Sequence, residues 1–234
     1  MLESLLFPDE ARYCYLRSAI SGSSGIFGTG DSSLGNKPNL ANYEQLHPLE
    51  QALVSQAVDS RKAEFGDARW CAHQALQELG LGEASPILRG ERGMPLWPEG
   101  YVGSITHTNG FRAAVVAPGD KVRSIGLDAE PTEPLPPGVL EAIARPAEAR
   151  QVEELKAAGI FYADKLLFCA KEATYKAWFP LTERFLDFDE AEIDIRLDGT
   201  LTSRILSHPT PVAAIEGSWL ARDGYAVVSA VVPV

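Results

Sequence analysis

The sequence predicts an α+β protein built of two similar α+β halves related by a pseudo-two-fold axis, and three observations carry that expectation. A long run of apolar residues at helical spacing precedes a tight hairpin in the first half. A second long, apolar helix precedes two more hairpins in the second half, and a proline-rich break over 131–137 separates the two sets. With 234 residues, 45% of them hydrophobic, the chain can build one large domain or two small ones. The halves are expected to cover 1–125 and 126–234, with the proline-rich break as the hinge region.

Taken in order, residues 21–36 are rich in Gly and Ser and offer little to bury, so they read as a mobile loop. Gly35-Asn36-Lys37-Pro38 does not complete a phosphate loop, because proline stands where Ser or Thr is needed. After Pro48, Leu49, Leu53, Ala57, Ala68, Ala72, Leu76 and Leu79 recur at helical spacings up to Gly80, which predicts one long helix weakened at Gly66. The stretch 88–98, punctuated by Gly90, Gly93 and Pro95, reads as a loop. Strands are expected over 101–106 and 111–117, joined through His107-Thr108-Asn109-Gly110, with a third over 124–130. Helices follow over 139–143, 146–158 and 161–178. The last four strands, 192–197, 201–206, 218–221 and 225–232, flank Asp198-Gly199 and Asp223-Gly224.

A net charge of -11 argues against a general nucleic-acid binder. The start, Met1-Leu2-Glu3, lacks the basic region and apolar core of a signal peptide, so a cytoplasmic protein with no membrane partner is expected. Cys14, Cys71 and Cys169 form no CxxC pair and read as reduced core thiols, and the four histidines show no zinc spacing. Against the acidic background, Arg61, Lys62, Arg69, Arg89 and Arg92 fall close together in sequence. They form either a local anion site or an ordinary solvated helix surface.

Residues two apart on a strand share a face, so Asp128 and Glu130 present two carboxylates together while Ala129 points away. That pair suits a hard cation such as magnesium, with room left for waters and phosphate oxygens. Taken alone it reads first as the solvated end of a strand before Pro131. On the helix 161–178, Lys165, Glu172 and Lys176 share one face of an otherwise apolar segment, where charges need partners. Ser104-Ile105-Thr106-His107 brings two hydroxyls and an imidazole to the hairpin, groups that can donate to phosphate oxygens.

Gly90-Glu91-Arg92-Gly93-Met94-Pro95, Ser104-Ile105-Thr106-His107, Gly126-Leu127-Asp128-Ala129-Glu130-Pro131 and Phe168-Cys169-Ala170-Lys171-Glu172-Ala173-Thr174-Tyr175-Lys176 occur in this order. In that order, and with Trp178-Phe179-Pro180-Leu181-Thr182 following, the chain from about Arg61 to Val232 resembles the Sfp-type (EntD-like) 4'-phosphopantetheinyl transferases. The resemblance implies the two-half α+β fold and transfer of the phosphopantetheine arm of coenzyme A to a serine of an apo acyl or peptidyl carrier protein. Adenosine 3',5'-bisphosphate leaves, and the metal is magnesium, with manganese as the alternative ion.

By resemblance Asp128, Glu130 and Glu172 hold the metal with the Ala129 carbonyl facing it, and Asp128 also serves the cofactor. Arg61, Arg69, Arg89, Gly90, Arg92 and Met94 bind the adenosine and 3'-phosphate end, with Ser104, Thr106 and His107 beside it; Met94 stands where many relatives carry a basic residue. Lys171 and Lys176 neutralise the diphosphate. Glu172, Lys176 and Lys171 form the reacting set, with Glu172 as base, metal ligand or both. An apolar and basic patch near Lys176, Trp178, Phe179, Arg184, Phe185 and Leu186 is expected to receive the carrier. The carrier belongs to a fatty-acid, polyketide, nonribosomal-peptide or siderophore (enterobactin-type) system, and a monomer is expected. Two other readings stay open: a noncatalytic coenzyme A or nucleotide binder, and a magnesium-dependent phosphodiesterase acting on the arm.

Overall fold

The first half is organised by one helix lying on an antiparallel sheet. The computed structural model describes residues 6–17, 38–82 and 85–234; the Gly/Ser-rich stretch 21–36, expected to be a mobile loop, lies outside the described residues. Strand β1 (Arg12–Arg17) pairs with β5 (Phe111–Pro118), which pairs with β4 (Tyr101–Thr108), giving the order β1-β5-β4. The short strands β2 (Leu88–Arg89) and β3 (Pro95–Leu96) pair with each other across the expected loop. Because β4 continues to Thr108, only Asn109 and Gly110 form the turn, and Gly110 takes the positive φ (73°) that a two-residue hairpin requires.

The single helix expected after Pro48 is two helices, α2 (Pro48–Ala52) and α3 (Asp59–Glu78), and a short unforeseen helix, α1 (Ala41–Glu44), precedes them. The chain breaks after α2 and doubles back, which lets buried Glu50 of α2 meet His73 of α3 at 2.9–3.0 Å. The gap in the apolar spacing between Ala57 and Ala68 falls inside α3 and does not mark this break, across which Leu53 and Ala57 keep helical spacing. Gly66 does not weaken α3. A Cβ there would lie 2.5 Å from the Tyr43 backbone nitrogen, so glycine is what allows α1 to pack on α3. On its other side α3 buries Cys71, Ala72, Ala75 and Leu76 against Ala114 and Val116 of β5.

The second half repeats the scheme. Helices α4 (Val139–Ile143), α5 (Pro146–Ala157) and α6 (Ala163–Thr182) accompany a sheet of order β6-β10-β9-β8-β7. Its strands are β6 (Val122–Pro131), β7 (Ala191–Ile195), β8 (Thr200–Ile205), β9 (Ala214–Arg222) and β10 (Tyr225–Pro233). Helix α6 runs a turn beyond the expected end, through Pro180, and stops at Glu183 in the left-handed region (φ 51°). Its buried face, including Leu166, Ala170, Ala173, Ala177 and Trp178, packs on the sheet through Ala226, Val228 and Ala230.

The halves meet along β4 and β6. The amide of Leu127 donates to Ser104 Oγ at 3.0 Å, so a serine hydroxyl ties β6 to β4. A second apolar layer, including Phe111, Val115, Ile125, Leu127, Tyr225 and Val227, fills the space behind. Residues 125 and 126, the expected boundary, are consecutive positions inside β6. The α+β class and the two-half architecture hold, while β1 was not foreseen at all.

Gly126 sets the distance between β6 and α6, since a Cβ would stand 1.9 Å from the Ala173 carbonyl oxygen and 2.7 Å from the Ala177 nitrogen. Both are backbone atoms and cannot rotate away. Gly126→Ala is therefore expected to cost about 2 kcal/mol, lowering the thermal midpoint by roughly 4–8 °C, with calorimetry as the measurement.

Candidate active site

The seam between β4, β6 and α6 concentrates charge around one buried carboxylate. Asp128 Oδ1 accepts from Thr106 Oγ1 at 2.9 Å and from Lys176 Nζ at 2.7 Å. Asp128 Oδ2 is buried and has no hydrogen-bond partner among the described residues. A buried acceptor left bare is costly unless something occupies it. Glu130, two residues on, faces Lys165 Nζ at 3.7 Å. Burial and then the charge of Asp128 push the carboxyl of Glu130 above its ordinary range, and the same two causes raise Glu172. These acids therefore repel one another electrostatically.

All the donors offered here are oxygens, which fits a hard cation. Among the described residues, no three His, Cys, Asp or Glu side chains already stand together as a metal cluster. At Asp128 Oδ1 the local cation is the Lys176 ammonium.

The two lysines of the 171–176 segment have different environments, and one sequence expectation is corrected. Lys171 Nζ donates to the carbonyls of Phe188 (2.6 Å) and Ala191 (2.8 Å) and pairs with Glu148 Oε1 at 2.9 Å. An ammonium has three N–H donors, so none remains for a diphosphate. Lys171 is a buried structural cation of the second half. Lys176 donates to the Leu127 carbonyl at 3.1 Å and to Asp128, which leaves one donor for a ligand.

Thr106 is corrected similarly: buried and donating its one proton to Asp128, it orients that carboxylate and has no proton to give a phosphate. Ser104, tied to Leu127, also lines a cleft of about 180 Å³ together with Arg92, Met94, Glu172, Tyr175 and Lys176. Gly90 closes the loop above this cleft through its amide to the Met94 carbonyl (2.8 Å). A Cβ at Gly90 would meet Leu96 Cδ2 at 2.7 Å. Arg92, at φ 51°, holds its guanidinium 5.1 Å over the Phe185 ring, so the two halves touch across the cleft.

The remaining cations lie along α3. Arg61 Nη1 stands 3.1 Å from His107 Nε2, which the arginine can only donate to. Burial and then the Arg61 charge hold His107 below its ordinary value, so the neutral imidazole is favoured at neutral pH. Four residues apart in turn, Arg61, Phe65 and Arg69 share a helix face. The guanidinium carbons of Arg69 and Arg89 lie over the Phe65 ring at 4.9 and 6.0 Å. Lys62 stays with Asp59 at 4.0 Å.

The expected carrier patch shrinks. Trp178, Phe179 and Leu186 are buried in the second half, where packing and not docking explains them; Phe185 remains half exposed. Sequence reasoning missed Tyr175 as a cleft wall and Glu50 beneath the arginines. Phe65, midway between Arg61 and Arg69, was the available signal for an aromatic platform.

Oxygen donors for a hard cation, a lysine with a donor to spare and a row of arginines together make the equipment of a phosphate-group transferase. Two family models agree with it: the 4'-phosphopantetheinyl transferase N-terminal domain matches residues 49–117, and the 4'-phosphopantetheinyl transferase superfamily matches 124–230. The chain is 45% identical over 193 residues to 4'-phosphopantetheinyl transferase Npt of Nocardia iowensis, covering 76% of this chain and 86% of that one. With 4'-phosphopantetheinyl transferase PptT of Mycobacterium tuberculosis it shares 46% over 196 residues, 79% of this chain and 85% of the other. Enterobactin synthase component D of Salmonella typhi is more distant, at 33% over 140 residues, 57% of this chain and 54% of that one. The chain belongs to the 4'-phosphopantetheinyl transferase family and is an enzyme of that transferase class.

The two lysines should separate on substitution. Lys171→Met leaves Glu148 charged in the core and is expected to cost about 3–5 kcal/mol of stability, measured by denaturant unfolding. Lys176→Met leaves buried Asp128 with Thr106 as its remaining hydrogen-bond partner among the described residues; it too should lower the unfolding midpoint, and unlike Lys171→Met it should suppress transfer by protein that is still folded.

Proposed function

We propose that the enzyme moves the 4'-phosphopantetheine arm of coenzyme A onto a serine of apo acyl or peptidyl carrier proteins, releasing adenosine 3',5'-bisphosphate in a magnesium- or manganese-dependent reaction. The bare Oδ2 of Asp128 carries this reading, because it is a buried anionic ligand position beside two further carboxylates and a lysine. Asp128, Glu130 and Glu172 would hold the cation, with the Ala129 carbonyl, waters and diphosphate oxygens as further donors. A bound divalent cation supplies electrostatic stabilisation of the charge that builds on the diphosphate.

Each residue then has a task. The carrier serine Oγ forms a bond to the β-phosphorus while the bond from that phosphorus to the bridging oxygen breaks, and the adenosine bisphosphate takes the electron pair. Glu172, whose carboxyl burial raises in the metal-free protein, is the group proposed to take the serine proton, directly or through water, whether or not it also holds the cation. Lys176 gives its remaining N–H to the diphosphate. Arg61, Arg69 and Arg89, with His107, hold the adenosine and 3'-phosphate end, and Arg92 closes the cleft. Phe185 and Arg184 are the part of the expected carrier patch still available. Arg184 lies over Trp178 at 5.5 Å and donates to Ser207 Oγ at 3.2 Å.

A monomer suffices for this chemistry, because both halves of the seam come from one chain. Among the described residues no helix is long and apolar enough to cross a membrane. The proposed compartment is the cytoplasm, and the carriers are those of fatty-acid, polyketide, nonribosomal-peptide or siderophore assembly.

Incubation with coenzyme A, magnesium and an apo carrier, followed by intact-mass analysis, is expected to show a gain of one phosphopantetheine. Asp128→Ala and Glu172→Ala should abolish that gain while circular dichroism stays native. An unchanged carrier mass with the unaltered protein would leave binding alone as its function, and loss of an arm from holo carrier would identify a phosphodiesterase.

The carboxylates also predict a pH effect on the metal-free protein. Glu130 and Glu172 bind protons more tightly folded than unfolded, so their contribution is present below the ordinary 4.5 and is lost as pH rises through their raised values. Added magnesium should raise the thermal midpoint above that window, and Asp128→Asn should reduce the increase.

A further inference from the structure

Glu50 is fully buried, yet nothing in the transfer chemistry above uses it. Its carboxylate accepts from His73 Nε2 at 3.0 and 2.9 Å and from the Ile87 amide at 3.2 Å. It also stands 3.9 Å from Arg69 Nε. His73 and Ile87 would be enough to pin α2 to its neighbours. The third partner is different in kind, because Arg69 belongs to the row of cations on α3.

Arg69 is itself buried, and its Nε has no hydrogen-bond partner among the described residues. Burial, with the neighbouring Arg89, pulls its pKa down to about 10 against the opposing pull of Glu50. Two guanidinium groups therefore lie over the single Phe65 ring, repelling each other, with one buried carboxylate behind them. Glu50 reaches both. It pairs electrostatically with Arg69 at 3.9 Å, and through the Ile87 amide it fixes the residue immediately before β2, the strand that carries Arg89.

We infer that Glu50 is a positioning residue for a phosphate-monoester site formed by Arg69 and Arg89, and that it sets the preference for a 3'-phosphorylated substrate without touching that substrate. The inference rests on the coenzyme A reading above. A charged carboxylate behind the arginines lowers the cost of burying Arg69 and holds both forks at a fixed spacing, which a two-pronged contact to one phosphate needs.

The test compares KM for coenzyme A with KM for 3'-dephospho-coenzyme A in the unaltered protein, Glu50→Gln, Glu50→Asp, Arg69→Ala and the Glu50→Gln/Arg69→Ala pair. Each KM is independent of how much of a preparation is folded. Glu50→Gln is expected to raise KM for coenzyme A about tenfold, leave KM for the dephospho substrate within twofold and leave kcat within twofold. Glu50→Asp, which keeps the charge but withdraws it, should fall between. In the Arg69→Ala background Glu50→Gln should add little. Equal rises for both substrates would make Glu50 a plain structural staple and overturn the inference, as would an unchanged ratio in both Glu50 variants while Arg69→Ala alters it. If Arg69→Ala leaves the ratio unchanged, the arginine assignment in the coenzyme A reading fails first and takes the inference with it.

Discussion

Asp128 is buried at the seam where β4 of one half meets β6 and α6 of the other. Its Oδ1 is held from the first half by Thr106 and from the second by Lys176, and its Oδ2 faces neither. A carboxylate removed from water needs its acceptors filled, so this residue can persist only while β4, β6 and α6 keep their spacing. The Gly126 contact with Ala173 supplies that spacing on one side, and the Ser104 bond to the Leu127 amide supplies it on the other. Neither feature is chemical in itself.

The division of labour between the halves follows from this geometry. The second half contributes the acids and Lys176, all on β6 and α6, whereas the first contributes Arg61, Arg69, Arg89, Arg92 and His107 on α3, β4 and the loop around β2. The three acids thus lie on one side of the seam, with Lys176 among them, and the row of arginines on the other. A net charge of -11 is compatible with an anionic substrate for the same reason, since the local arrangement and not the total decides.

Periodicity made the helices and hairpins legible, because burial imposes a period of 3.6 or 2 on the apolar residues that form them. It could not reveal β1, whose Arg12-Tyr13-Cys14-Tyr15-Leu16-Arg17 has no hairpin partner nearby and pairs with β5 a hundred residues away. The break between α2 and α3 was hidden similarly. Apolar spacing continues across it, while the reason for the break, a carboxylate reaching His73, is a long-range contact. For the site, the carboxylates were readable from alternation on β6, but the resemblance had treated Lys171 and Lys176 alike. Helical geometry separates them. Five residues turn the helix through about 140° beyond a full turn, so the two ammonium groups face different neighbours, while Glu172 and Lys176, four apart, differ by only about 40°.

Thr106 shows why residue type alone misassigns a role. Its position next to His107 makes it look like a phosphate donor, and the hydroxyl does donate, but to Asp128. Removing that proton from competition has an effect on the chemistry. With Oδ1 committed to Thr106 and Lys176, the carboxylate cannot rotate to satisfy Oδ2 from inside the protein without breaking two short contacts. The bare oxygen is therefore fixed in direction before any ligand arrives, so binding there does not have to pay the ordering cost that a mobile carboxylate would impose.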